Sequence, residues 1–109
     1  MIGKDELNEL LIGHNCVESM CVDSEEGIVK YNLLLTLAES ENNDSKKIKV
    51  CFYDVSSLSV KEFGGGLTQF MHLKVSETNS GFDRARYELS DMEDEKIYCL
   101  FRGFSLDDE

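Results

Sequence analysis

The sequence has no proline in its 109 residues and is short of positive charge: 11 Lys and Arg stand against 22 Asp and Glu, a formal net charge of −11. Without proline, internal repeats or a low-complexity linker, nothing marks a boundary, and residues 1–109 read as one domain. The shortage of Lys and Arg argues against sequence-independent nucleic-acid binding, because neutralising phosphates supplies most of that affinity. It also disfavours anionic membrane surfaces. Long hydrophobic runs are missing too. The longest aliphatic ones, Leu10 to Ile12 and Leu33 to Leu35, fall far short of the ~20 residues that span a bilayer. Asp5 and Glu6 stand where a secretory signal would carry basic and then apolar residues, so no targeting segment and a cytoplasmic location are expected.

Metal-binding cysteine pairs are also lacking. Cys16, Cys21, Cys51 and Cys99 form no CxxC pair and have no zinc-finger spacing to a histidine. Cys51 and Cys99 lie inside apolar runs, where a free thiol behaves as a small hydrophobe. Reduced structural thiols are therefore expected, with no metal and no cofactor.

What the sequence does hold is rhythm. Hydrophobic residues make up 41% of the chain, enough for a real core, and they recur periodically rather than being diluted as in a disordered chain. From Lys4 to Ile12, Leu7, Leu10 and Leu11 share one face of a short helix. From His14 the period becomes two. His14 to Asp23 predicts a strand, Ser24 to Gly27 a hairpin turn, and Ile28 to Ala38 the clearest amphipathic strand, through Val29, Tyr31, Leu33, Leu35 and Leu37. Glu39 to Lys47 reads as a polar loop and Ile48 to Val55 as a third strand. Ser56 to Gly66 reads as a loop with one helical turn around Val60 to Phe63. Thr68 to Val75 predicts a strand with Met71, Leu73 and Val75 on one face, and Arg84 to Ser90 another. Lys96 to Leu106 predicts a last strand, apolar on both faces from Ile97 to Phe101 as a central strand requires. An acidic tail, 107–109, follows. The expected fold is mainly β, α+β at the margin: a six-stranded antiparallel sandwich or rolled sheet with one short N-terminal helix (4–12) and strands over 14–106.

Few residues point to catalysis. His14 and His72 share no spacing with a Ser or Cys nucleophile, so a non-enzyme is expected. Gly64-Gly65-Gly66 lacks the helix and the Lys or Ser/Thr that a phosphate loop needs, and reads as a turn or bulge. Asp91-Met92-Glu93-Asp94-Glu95 holds four carboxylates in five residues. It lacks the central glycine and spacing of an EF-hand, which leaves a solvated hairpin tip or a partner-facing one. If the strands run strictly up and down, one end collects Asp23, Glu25, Glu26, Asp54 and Glu62 together with Asp91, Glu93, Asp94 and Glu95, opposed only by Lys61 and Lys96. Such a field favours fast, salt-sensitive encounter with a basic partner.

The succession Val50-Cys51-Phe52-Tyr53-Asp54-Val55-Ser56, Phe63-Gly64-Gly65-Gly66-Leu67, Met71-His72-Leu73-Lys74-Val75, Arg86-Tyr87-Glu88-Leu89 and Ile97-Tyr98-Cys99-Leu100-Phe101 resembles small β-rich bacterial immunity proteins of polymorphic and contact-dependent growth-inhibition toxin systems. Ile12-Gly13-His14-Asn15 resembles their His-Asp start, with Asn15 where Asp is common. The resemblance implies a cytosolic antidote that binds a cognate toxin and carries no catalytic motif. Many such toxins are nucleases, which must be basic to hold phosphates, and an acidic inhibitor imitates that phosphate array. The expectation is thus an immunity protein that blocks a basic toxin domain, a nuclease by this argument, through Glu25, Glu26, Asp54, Asp91, Glu93, Asp94 and Glu95. A small-ligand-binding β-barrel is the alternative, and it requires a sizeable apolar cavity.

Overall fold

Leu7 and Leu11 decide how the chain begins to fold. Both are completely buried, and they dock helix α1 (Lys4–Gly13) onto the core, with Leu10 partly buried beside them. Asp5 and Glu6 sit in the first turn, where carboxylates complement the helix dipole. The helix ends at Gly13, and the ring of the next residue, His14, donates from Nδ1 to the Leu10 carbonyl oxygen at 2.8 Å. That bond satisfies one of the acceptors a helix terminus leaves open. The computed structural model describes residues 3–24, 30–42, 44–66, 68–78 and 86–108.

Eight strands follow among the described residues: β1 (Cys16–Ser24), β2 (Tyr31–Ala38), β3 (Lys47–Tyr53), β4 (Ser56–Val60), β5 (Leu73–Glu77), β6 (Tyr87–Asp91), β7 (Ile97–Phe101) and β8 (Gly103–Asp108). They form two antiparallel four-stranded sheets, ordered β1-β2-β3-β8 and β4-β7-β6-β5. The class is mainly β, as expected, and the strand count exceeds the expected six for two reasons. Ser56 to Val60 is a strand rather than a loop: Leu58 and Val60 pack on the core, while Ser57, at φ +54°, breaks the ladder to β7. The run from Lys96 to Leu106 is two strands, because the chain leaves one sheet at Arg102 and enters the other at Gly103.

Both passages between the sheets lie at one end, the crossing end. Tyr53 closes β3 opposite Gly103, and the Tyr53 carbonyl accepts from Arg102 N at 2.9 Å. Asp54, at φ +55°, reverses the chain there, and Val55 N donates to Tyr31 O at 2.8 Å. Aromatic rings fill the interior beneath: Phe52 meets Phe101 edge-on at 4.8 Å, and Phe101 stacks with Tyr87 at 5.4 Å. Ser24 and Tyr31, the paired ends of β1 and β2, also lie at this end.

The other end, the far end, is joined differently. Cys16 pairs with Ala38 on one side and bridges to Gln69 on the other, so the start of the first sheet meets the segment preceding β5. Val17 N donates to Thr68 O at 2.9 Å and Phe70 N to Asn15 O at 3.0 Å. This segment is not in the β5 ladder. Met71 is therefore exposed and Thr68 buried, the reverse of what alternation from Thr68 to Val75 predicts.

Candidate functional site

Along β6, Leu89 and Asp91 are two residues apart, so period two turns both inward, and both are completely buried. A buried carboxylate needs partners, and Asp91 has them. Its Oδ1 accepts from His72 N at 3.3 Å and Glu93 N at 3.2 Å, its Oδ2 from Lys96 N at 3.2 Å, and its backbone carbonyl from Glu95 N at 3.1 Å. One side chain thus fixes both ends of the turn between β6 and β7 and ties it to the start of β5. Glu95 completes the reversal at φ +54°. Between these anchors Glu93, Asp94 and Glu95 are exposed, on a turn whose backbone is held by hydrogen bonds.

Each carboxylate expected to meet a partner can now be placed. Glu93, Asp94 and Glu95 stand together in solvent at the far end. Asp91 lies beside them in sequence but is spent inside the turn, which corrects its expected display. Asp54 is also buried, at the opposite end, where its N donates to Asn32 Oδ1 at 3.3 Å. Glu25 and Glu26 lie outside the described residues. The strands do alternate in direction, but the unexpected strand β4 shifts the count by one, so the turn after β6 falls at the opposite end from the passage between β3 and β4. The Asp91–Glu95 turn consequently sits at the far end, with Ser24 and Tyr31, the paired ends of β1 and β2, at the crossing end.

The far end gains acids from a source the up-and-down arrangement assigned elsewhere. Ala38 pairs with Lys47, so the β2–β3 loop lies at this end and brings Glu39, Glu41 and Asp44, all exposed. Glu62 is exposed where the chain leaves β4. Of the lysines there, Lys47 pairs with Glu18 at 2.8 Å.

The same end also carries apolar side chains. The connection 61–72 must run across the edge of the second sheet from β4 to β5, past the β6–β7 turn. Lys61 N donates to Lys96 O at 2.8 Å at one side of that turn, and Met92 N to His72 O at 2.7 Å at the other. Gly64, Gly65 and Gly66 all have positive φ (95°, 74° and 131°), which is what lets this connection bend, in agreement with a structural role for the triple glycine. Ile12, Phe63, Met71 and Met92 are exposed along this path.

No family model matches the chain, and neither a curated protein nor a solved structure does.

The cysteines and histidines are occupied otherwise. None of the four cysteines is in a disulfide. Cys16 Sγ donates to Asn15 Oδ1 and accepts from Gln69 Nε2, each at 3.5 Å, while the His14 ring serves the helix end. Burial pushes the Cys99 thiol up to about 12, so it is a protonated core group at neutral pH. Cys51, expected in the core, faces outward instead and is half-buried, because odd positions of β3 point away from Val50 and Phe52. It shares a row with Cys21, Leu34 and Ser105 along a hollow of about 470 Å³ on the outer face of the first sheet. The interior, where a ligand-binding barrel needs its cavity, is filled by Phe52, Phe70 and Phe101. On the second sheet's outer face, burial and then the Glu88 carboxylate, which accepts the Tyr98 hydroxyl hydrogen bond at 3.1 Å, hold the Tyr98 phenol above its ordinary pKa. No helix among the described residues is long and apolar enough to cross a membrane.

Proposed function

We propose that this chain is an immunity protein of a bacterial polymorphic or contact-dependent growth-inhibition toxin system. It acts in the cytoplasm as a non-enzymatic inhibitor, binding a basic toxin domain and filling its substrate groove with carboxylates. A nuclease is the partner whose chemistry fits best, since a phosphate-binding groove is cationic and fixed carboxylates imitate phosphate spacing. The observation that carries this reading is the buried Asp91, whose oxygens accept three backbone amides. That clasp holds Glu93, Asp94 and Glu95 in place before a partner arrives, so less conformational entropy is lost on binding.

The physics of such an interface divides naturally. Exposed acids steer encounter and make the on-rate salt-dependent, and close charge pairs in a nuclease–inhibitor complex couple by roughly 1.5–7 kcal/mol. The deciding experiment is co-expression with the product of the immediately upstream gene, with cell survival and association kinetics as readouts. Wild type should protect. Reversing the turn's charge with Glu93→Lys, Asp94→Lys and Glu95→Lys should slow association about tenfold or more and flatten its salt dependence. Full protection and unchanged kinetics in that triple variant would overturn the assignment.

A further inference from the structure

The far end carries, besides its acids, side chains that water does not favour. Ile12, Phe63, Met71 and Met92 expose 60, 49, 50 and 56% of their surface there. Among the described residues, the remaining large exposed apolar ones lie elsewhere: Val22 and Tyr31 at the crossing end, Leu34 and Tyr53 on the outer face of the first sheet. Two backbone hydrogen bonds tie the segments that carry the far-end residues to their sheet end, Met92 N to His72 O at 2.7 Å, next to Met71, and Lys61 N to Lys96 O at 2.8 Å, two residues before Phe63. Phe63 and Met71 flank the β6–β7 turn on the two sides of a four-stranded sheet end, a width of roughly 14 Å at the usual strand spacing. Met92 stands on the turn between them.

We infer, resting on the function proposed above, that the far end recognises a basic amphipathic segment of its partner, with Phe63, Met71 and Met92 as the apolar centre and Glu62, Glu93, Asp94 and Glu95 as an anionic rim. Charge complementarity selects the occupant. An apolar patch ringed by carboxylates repels acidic or membrane-phosphate surfaces and suits a segment whose apolar side chains alternate with Lys and Arg. Methionine fits the role because its flexible, polarizable thioether adapts to differing apolar knobs. The division of labour resembles other tight interfaces, in which buried anchors set the dissociation rate and rim charges set the association rate.

The test uses the full chain and a fluorescein-labelled synthetic helix of leucine on one face and lysine on the other, with unstructured polylysine of equal charge as reference. Fluorescence anisotropy at physiological ionic strength should show the amphipathic helix binding about tenfold tighter than polylysine. The double variant Phe63→Ser and Met92→Ser should abolish that difference, with an unchanged thermal melt confirming its fold. Val22→Ser with Tyr31→Ser, placed at the crossing end, should leave it intact. Equal affinity for the two peptides, no binding of the helix, or equal weakening by both serine pairs would overturn the apolar centre. Those results leave the proposed function standing wherever charge reversal of the turn still abolishes protection by the co-expressed chain, whereas loss of that charge effect removes both.

Discussion

The two ends of the molecule turn the chain back by different means. At the crossing end, two sheets exchange strands over a cluster of rings, with Phe101 in contact with both Phe52 and Tyr87 and Asp54 tucked beneath the surface. At the far end the reversal depends on one buried carboxylate gripping backbone amides, and the side chains between its grips are left to solvent. Ring packing stabilises by hiding surface, so the rings that build this end are not themselves open to a partner. Amide-to-carboxylate bonding fixes a backbone while hiding almost no side chain, so the end it builds is both rigid and available.

Three measurements would break or sharpen that contrast. The largest effect belongs to the crossing end. Phe101→Ala should cost about 3–5 kcal/mol of stability in urea denaturation, through lost transfer energy and a cavity against Phe52 and Tyr87. Asp91→Ala should cost less, about 1–3 kcal/mol for amides left without an acceptor. Its signature should be local, with amide hydrogen exchange accelerated at His72, Glu93 and Lys96. If the two costs were reversed, the carboxylate rather than the rings would be the greater support. The smallest effect at neutral pH comes from Cys99, on the strand that joins the two ends. Its folded pKa, about 12, exceeds the unfolded value of 9, so the unfolded chain gives up this proton first. Stability should be unaffected below about pH 9 and should decline as pH climbs toward 12. Tyr98, also raised, adds a loss of the same sign. At neutral pH a thiol reagent should label exposed Cys21 quickly and Cys99 only on unfolding.

Much of this was legible in the residues. The helix followed from Leu7, Leu10 and Leu11, and β1 to β3 followed from alternation, with bounds within a few residues of the structure. The corners were not legible from alternation alone, because the apolar rhythm continues through them. Their trace is a slip of phase. Inward residues run Val50, Phe52 and then Val55, and again Cys99, Phe101 and then Phe104, with a gap of three where two is expected. Each slip falls where the chain changes sheets. A similar slip, from Val17 to Met20, marks the bulge in β1. The role of Asp91 was also written in the period, since it shares Leu89's face. Grouping it with its acidic neighbours by composition concealed that. The apolar part of the far end had no such signal, because Phe63, Met71 and Met92 are set at one sheet end by the path of the chain from β4 to β5, which no local pattern encodes.

Helix α1 has a consequence beyond the core it helps to fill. Asn8 lends its carboxamide to β5, with Nδ2 donating to Val75 O at 2.9 Å and Oδ1 accepting from Val75 N at 2.7 Å. A single side chain so imitates one rung of a missing neighbour strand. Were the helix peeled away, that margin would offer bare, unpaired peptide groups to any extended chain nearby, the template from which sheets grow between molecules. In a cell crowded with nascent polypeptides, ten residues of helix therefore act as a guard against self-assembly.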